Sequence, residues 1–244
     1  IIYALQKRGF SVQPFKVGPD YIDPSYLSSI SKHEAINLDV WLMGENQLLN
    51  SFVSNSKSDI SVIEGVMGYY DGFGGDSNYA STQHVASLTK SPVLLILDAS
   101  KTARSIAATA LGFQKFHRNS RISGIILNKI SSKKHEILCR QALEKTKLPI
   151  IGVIYKNSEL NFESRHLGLI PAKEKNLKSK IEKTSKIISD SLDIEKIIQI
   201  MKNPTPLPTK SKIIIKKPKI TIAVALDNSF NFYYRDNLKA LRRE

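Results

Sequence analysis

The sequence of 244 residues contains a single cysteine, Cys139, and a single tryptophan. One cysteine cannot form an intrachain disulfide, which fits a reducing compartment. No run approaches the ~18 apolar residues that a membrane-spanning helix needs, and the first residues have no signal-peptide pattern. We therefore expect a cytoplasmic protein that does not enter the membrane.

Acidic residues are also scarce, because 22 Asp and Glu stand against 36 Lys and Arg, for a formal net charge of +14. Clustered basic residues can neutralise the phosphates of nucleic acid. Here they are mostly Lys, are densest between residues 173 and 219, and have no aromatic residues between them. We predict a solvated basic surface that does not bind nucleic acid but can attract anions such as ATP or a polycarboxylate.

The sequence has no match to G-x-x-x-x-G-K-[ST], the phosphate-binding loop of many nucleotide enzymes. Residue 1 is isoleucine, and residues 1–8 have the pattern of the last turns of an amphipathic helix that ends at Gly9. We interpret this segment as the helix that follows such a loop, and we expect the loop itself just upstream.

Strand and helix patterns alternate along the chain. The predicted strands are residues 12–17, 60–63, 92–97, 122–127, 150–154 and 221–226, and the predicted helices are residues 47–55, 81–88, 102–116, 132–145 and 173–201, with a long loop after residue 17. This alternation favours an α/β fold with a parallel sheet covered on both faces. A proline-rich linker at residues 203–212 separates a domain of residues 1–202 from residues 213–244, the expected start of a second α/β domain.

Polar residues follow four of the predicted strands. They are Asp20 and Asp23, Glu64, Asp98 and Asn128. The carboxyl ends of parallel strands meet at one edge of a sheet, so we expect these side chains to share a crevice. Each residue alone could equally be a helix cap or a loop residue. Carboxylates from separate segments suit Mg²⁺ bound to nucleotide phosphates, and Lys16 could contact a phosphate or a substrate carboxylate.

Two segments, residues 13–24 and 62–72, resemble motifs of the cobyrinic acid a,c-diamide synthase family, ATP- and glutamine-dependent amidases of the cobalamin pathway. Further matches follow in the family's order at residues 37–39, 98–105, 124–129, 165–171 and 222–238. The resemblance implies a doubly wound, mostly parallel sheet of the P-loop NTPase or dethiobiotin-synthetase-like type. It also implies that residues 213–244 open a class I glutamine amidotransferase domain.

The resemblance further implies a reaction. The a- and c-acetate carboxylates of cobyrinate or hydrogenobyrinate would be activated as acyl phosphates with ATP and Mg²⁺, and ammonia derived from glutamine would then form the amides. The implied partners are a tetrapyrrole polycarboxylate, ATP and this ammonia, and a homodimer is left open. The alternatives are a nickel-sirohydrochlorin a,c-diamide synthase and, from another class, a non-catalytic ATP-binding switch of the partition-protein type.

The matched motifs also imply roles for individual residues. Catalytic roles fall on Asp20, Asp23, Glu64 and Asp71, and Mg²⁺ binding falls on Glu64 and Asp20. Substrate contacts fall on Lys16, Tyr21, Ile22 and Asp39, and nucleotide contacts on Asn128 and Lys129. We interpret Cys139 as a buried apolar residue and Trp41 as a core or loop anchor. Without a phosphate loop, the chain alone is expected to be inactive.

Overall fold

A computed structural model describes residues 1–161, 164–165, 168–169, 175–202, 204–207, 220–227 and 229–243, with the backbone alone for residues 164–165, 168–169 and 175–178. The strands are β1 (Val12–Val17), β2 (Ile36–Leu38), β3 (Ile60–Glu64), β4 (Val93–Asp98), β5 (Ile122–Ile130), β6 (Ile150–Tyr155), β7 (Ser164–Arg165) and β8 (Gly168–Leu169). The helices are α1 (Ile2–Lys7), α2 (Ile22–Ser31), α3 (Val40–Asn55), α4 (Thr82–Leu88), α5 (Ser105–Phe116), α6 (Lys133–Leu143), α7 (Lys175–Asp190), α8 (Ile194–Met201) and α9 (Arg235–Arg243).

The longer strands form two parallel sheets of three, in the orders β2-β1-β3 and β4-β5-β6. One hydrophobic cluster joins Val12 of the first sheet to Ile126 and Ile151 of the second, and Leu5 of α1 packs into it. The α/β class is therefore confirmed, and so are the five strands predicted between residues 12 and 154. Among the described residues, no helix is both long and apolar enough to cross a membrane.

The predicted long loop after residue 17 is wrong, because this stretch contains α2, β2 and the first turns of α3. Pro24 lies in the first turn of α2, where its missing N–H leaves no hydrogen bond unmade. Asp39 caps α3 by accepting a hydrogen bond from the Leu42 N–H at 2.9 Å. Gly44 then interrupts α3 with a φ of 70°, which breaks the helical period of the sequence.

Two other predicted elements differ from the structure. The helix predicted over residues 173–201 is two helices, α7 and α8, although residues 173–174 lie outside the described residues. Asp193 caps α8 by accepting a hydrogen bond from the Lys196 N–H at 3.1 Å. Residues 221–226 have strand-forming side chains but form no strand, since no described residue pairs with them.

The predicted linker and domain boundary stay predictions. Of residues 203–212, only residues 204–207 are described, and residues 213–219 lie outside the described part of the chain as well. The motif at residues 165–171 also falls mostly outside it.

Candidate functional site

Lys16 lies at the centre of the site because β1 is the middle strand of its sheet. In the parallel register, Lys16 is flanked by Asn37 on β2 and Glu64 on β3. Every residue of β1 is buried, and the Lys16 side chain is only 3% exposed. A fully buried ammonium needs oxygen partners, so the surroundings of its Nζ define the chemistry of this edge of the sheet.

Four oxygen atoms surround the Lys16 Nζ. It donates a hydrogen bond to the Gly65 carbonyl at 2.7 Å and lies 3.2 Å from Asp23 Oδ2 and 3.3 Å from both Asp20 Oδ2 and Glu64 Oε1. The three carboxylates are between 33% and 44% exposed, so they line the open side of the cluster. One cation shared by three anions leaves a net negative charge facing solvent. We call the side chains of Lys16, Asp20, Asp23 and Glu64 the Lys16 cluster.

The pKa shifts reflect this imbalance. Burial alone would lower the pKa of Lys16, but the charges of Glu64 and Asp23, together with the hydrogen bonds to Asp23 and Asp20, outweigh burial and raise it, so Lys16 stays cationic. Burial raises the pKa of Glu64; Lys16 offsets only part of this effect, and Asp23 and Asp20 add to it. Glu64 is therefore a carboxylate that a further cation would stabilise.

Asn37 holds the loop at residues 18–21, which carries Asp20 and leads into α2, where Asp23 lies. Its Nδ2 donates to the carbonyls of Gly18 at 2.9 Å and of Asp20 at 2.8 Å. Gly18 has a φ of 85°, which disfavours any other residue there. Sequence reasoning assigned no role to Asn37, because β2 was predicted as loop; the signal that could have found it is its place in the matched segment at residues 37–39.

Asp71 and Asp39 each accept a hydrogen bond from a backbone N–H group outside this cluster. Asp71 Oδ2 accepts a hydrogen bond from the Gly68 N–H at 2.9 Å, and a Cβ on Gly68 would lie only 2.4 Å from that oxygen. Asp39 is the cap of α3. Neither is among the groups that contact Lys16, and their catalytic and substrate roles stay predictions.

Asn128 and Lys129 belong to the other sheet, at the carboxyl end of β5. Lys129 Nζ pairs with Asp98 Oδ2 at 2.7 Å, and hydrogen bonds from Lys129 and Ser100 lower the pKa of Asp98. Asn128 Oδ1 accepts a hydrogen bond from the Lys129 N–H at 2.9 Å. Of the strand-end residues, Asp20, Asp23 and Glu64 therefore share the Lys16 cluster, whereas Asp98, Asn128 and Lys129 lie together on the second sheet. The nucleotide contacts of Asn128 and Lys129 stay predictions.

Tyr21 and Ile22 begin α2 beside the Lys16 cluster, and the Tyr21 ring stacks on Tyr234. The core interpretation of Trp41 is wrong, because its side chain is mostly exposed and stacks on Phe73 with ring centroids 4.3 Å apart. Cys139 is fully buried, as predicted.

A second ionic cluster, the Glu136 cluster, lies between α6 and β6. The Glu136 side chain is 7% exposed and contacts Lys133 Nζ at 2.9 Å, Arg140 Nε at 2.7 Å and the Tyr155 hydroxyl. It borders a cavity of about 390 Å³. The hydrogen bond from Tyr155, with those from Lys133 and Arg140, lowers the pKa of Glu136 to about 2 despite its burial. Sequence reasoning assigned no role to this cluster.

The carboxylates of the Lys16 cluster fit a magnesium ion. No group of three or more His, Cys, Asp or Glu side chains arranged to hold a metal occurs in the described part of the chain. Mg²⁺, however, commonly takes one or two protein carboxylates and fills its other positions with water and phosphate oxygens. Lys16 carries one positive charge against three carboxylates, so negative charge remains for a metal ion to neutralise. Glu64 and Asp20 are therefore suitable oxygen ligands.

A family model described as the CobQ/CobB/MinD/ParA nucleotide binding domain, CbiA, matches residues 1–170. The chain belongs to the CbiA family. The family assignment agrees with the parallel α/β architecture and with the predicted class of nucleotide-binding fold. Its description covers several kinds of protein, so membership alone does not select a reaction.

Curated relatives of this CbiA-family chain are named cobyrinate a,c-diamide synthase. They include proteins from Listeria innocua (42% identical over 99% of this chain and 55% of the relative), Picrophilus torridus (43%, over 99% and 56%) and Caldanaerobacter subterraneus (39%, over 98% and 54%). The chain thus spans about half the length of these relatives.

Among solved structures, the signal recognition particle 54 kDa protein from Aeropyrum pernix K1 is similar with a TM-score of 0.43 and 15% identity, over 82% of this chain and 43% of that one. A likeness at this level says nothing about function.

Proposed function

We propose that this chain provides the ATP-dependent part of a cobyrinate a,c-diamide synthase. The observation that carries the proposal is the Lys16 cluster, a net negative group of carboxylates at the edge of the parallel sheet. The names of relatives that are about 40% identical over nearly the whole chain support the choice of substrate. A cytoplasmic location and the division into residues 1–202, 203–212 and 213–244 remain part of the proposal.

In the proposed reaction, an acetate carboxylate of the tetrapyrrole is phosphorylated by ATP, and ammonia from glutamine displaces the phosphate. The first step brings two anions together, so it needs positive charge between them. Bound Mg²⁺ would supply that charge by neutralising phosphate and carboxylate oxygens. Glu64 and Asp20 would hold the ion, and Asp23 would orient the groups around it.

Lys16 has a different role in this proposal from that of the carboxylates. Its Nζ is buried and already contacts four protein oxygens, so it is poorly placed to reach a substrate. We infer that Lys16 instead fixes the carboxylates of Asp20, Asp23 and Glu64 in one geometry. A fixed charged group of this kind needs little reorganisation when the reacting groups arrive.

The test is amidation by the complete polypeptide. Cobyrinate or hydrogenobyrinate, and separately nickel sirohydrochlorin, would be incubated with MgATP and glutamine, and mass spectrometry would detect the replacement of each acid hydroxyl by an amino group. We expect two amides on the cobyrinate-type substrate. Products formed only from nickel sirohydrochlorin would establish the alternative substrate, and no amidation of either would contradict the proposal.

Asp23→Asn is the matched variant for this assay. It keeps the size of the side chain but removes the charge that faces Lys16, and we expect turnover to fall about 10²–10³-fold. The melting temperature should stay close to that of the unchanged protein. A variant with nearly unchanged turnover would remove Asp23 from the mechanism.

We also infer that the 244-residue chain by itself does not bind MgATP to a measurable extent. Its sequence has no phosphate-binding loop, whose backbone N–H groups and lysine normally hold the β- and γ-phosphates. Titration calorimetry of the chain with MgATP would test this, and micromolar affinity would contradict it.

A further inference from the structure

A segment near the end of the chain, residues 229–243, lies against the loop at residues 18–21, which carries Asp20 and leads into α2 just before Asp23. We call it the docking segment. The Tyr234 hydroxyl donates a hydrogen bond of 2.7 Å to the Pro19 carbonyl, 215 positions earlier in the sequence. The Tyr234 ring stacks on Tyr21 with centroids 4.6 Å apart and an interplanar angle of 23°, and the Phe232 ring lies 5.1 Å from Tyr21. The two tyrosines and Phe232 form one aromatic group.

Three polar contacts fix the docking segment beyond this aromatic group. Arg235 pairs with Glu34, and Asp236 accepts a hydrogen bond from the buried Ser51 hydroxyl. Lys239 Nζ donates to Asn55 Oδ1 at 2.5 Å. Because the contacts reach α3 as well as the loop between α2 and β2, α9 has a defined position on this face of the molecule.

Side chains donate hydrogen bonds to three consecutive backbone carbonyls of the loop at residues 18–21. Asn37 donates to the carbonyls of Gly18 and Asp20, and Tyr234 donates to the carbonyl of Pro19 between them. Asn37 comes from within the sheet, whereas Tyr234 comes from the docking segment. The orientation of the Asp20 side chain toward Lys16 therefore depends on both β2, which carries Asn37, and the docking segment, which carries Tyr234.

Tyr234 is well suited to act as a constant hydrogen-bond donor. Burial raises its pKa above the ordinary value for tyrosine. The hydroxyl therefore keeps its proton over the whole neutral range.

We propose that Tyr234, supported by Phe232, is a positioning residue that holds the loop at residues 18–21, so that Asp20 in this loop and Asp23 in the first turn of α2 face Lys16. The inference rests on the proposed function for its catalytic consequence, but the loop contact itself does not. It assigns to residues 229–243 a part in completing the carboxylate site, whatever larger domain they belong to.

Hydrogen exchange tests the positioning independently of any activity. Tyr234→Ala removes both the hydrogen bond and the ring stack, Tyr234→Phe removes the hydrogen bond alone, and Tyr233→Ala is the matched control on the neighbouring residue. In the complete polypeptide, we expect amides of residues 18–28 to exchange faster in Tyr234→Ala than in Tyr233→Ala, with Tyr234→Phe between the unchanged protein and Tyr234→Ala. Equal exchange in Tyr234→Ala and the control would overturn the proposal.

Amidation kinetics test the consequence for the site. We expect Tyr234→Ala to raise the Mg²⁺ concentration needed for half-maximal rate, and to lower kcat, by about 10-fold each, as residues that orient metal ligands typically do. The KM for glutamine should not change, and Tyr234→Phe should restore part of the loss. Faster loop exchange with no change in the Mg²⁺ requirement would overturn the positioning role, whereas the absence of amidation in every protein would count against the proposed function alone.

Discussion

The Lys16 cluster and the Glu136 cluster each contain a buried charged side chain with three side-chain partners, but their charges balance in opposite ways. Lys16 is one cation among three carboxylates, whereas Glu136 is one carboxylate among two cations and a hydroxyl. Burial raises the pKa of Glu64, and the shared cation Lys16 offsets only part of that effect. Burial of Glu136 is outweighed by the hydrogen bond from Tyr155 together with those from Lys133 and Arg140, and its pKa is lowered to about 2. Burial of a charge does not by itself indicate a site; an excess of one sign at the surface of the cluster does.

The largest effect on stability should follow the loss of the buried cation. Lys16→Met leaves three carboxylates without their common partner, and we expect the free energy of unfolding to fall by about 2–4 kcal/mol, less than for fully buried pairs because the carboxylates reach solvent. Lys133→Met is the control, because Lys133 is 76% exposed, and it should change stability by less than about 0.5 kcal/mol. Urea unfolding of the chain measures both values, and equal losses would contradict the comparison.

A smaller loss should follow Glu136→Gln. The variant loses a carboxylate that holds three donors, two of which can be solvated, so we expect a decrease of about 1–2 kcal/mol near neutral pH. The folded pKa of about 2 lies below the ordinary value of 4.5, so the stabilisation is complete above pH 4.5 and is lost as pH falls toward 2. The urea midpoints of Glu136→Gln and of the unchanged protein should therefore converge as the pH is lowered from 7 to 3. A constant difference between them would contradict the stabilising role of the Glu136 carboxylate.

The smallest effect, of opposite sign, should follow Glu64→Gln. Because the folded pKa of Glu64 is raised, its ionised form costs stability, and this cost is present above that pKa. Lys16 keeps Asp20, Asp23 and the Gly65 carbonyl as partners in the variant. We expect unchanged or slightly increased stability near neutral pH in the same urea experiment. A loss as large as that of Glu136→Gln would show that Glu64 is a structural carboxylate.

The sequence predicts much of the Lys16 cluster because its features are local. An apolar strand followed by Asp20, or by Glu64, is visible in a few residues, and the geometry of parallel sheets brings such strand ends together. Asn37 was missed because β2 has only three residues, too few to show an alternating pattern. The contact of Tyr234 with Pro19 could not be predicted from any local pattern, since it joins residues 215 positions apart.

The two sheets also differ in how much of their structure could be predicted from the sequence. The strands of the second sheet, β4 to β6, are long apolar runs and were predicted within a few residues at each end. In the first sheet, the stretch between β1 and β3 is rich in proline, glycine and serine, yet it forms a short strand and a capped helix. Its composition is typical of a loop, and tertiary contacts decide its structure.

We propose that the Lys16 cluster acts in the reaction and that the Glu136 cluster only stabilises the fold. The most direct measurement is the amidation rate of Glu64→Gln and Glu136→Gln in the complete polypeptide, at a temperature where both are folded. We expect a loss of about 10²–10³-fold for Glu64→Gln and a nearly unchanged rate for Glu136→Gln. A nearly unchanged rate for Glu64→Gln, or an equal loss in both variants, would contradict it.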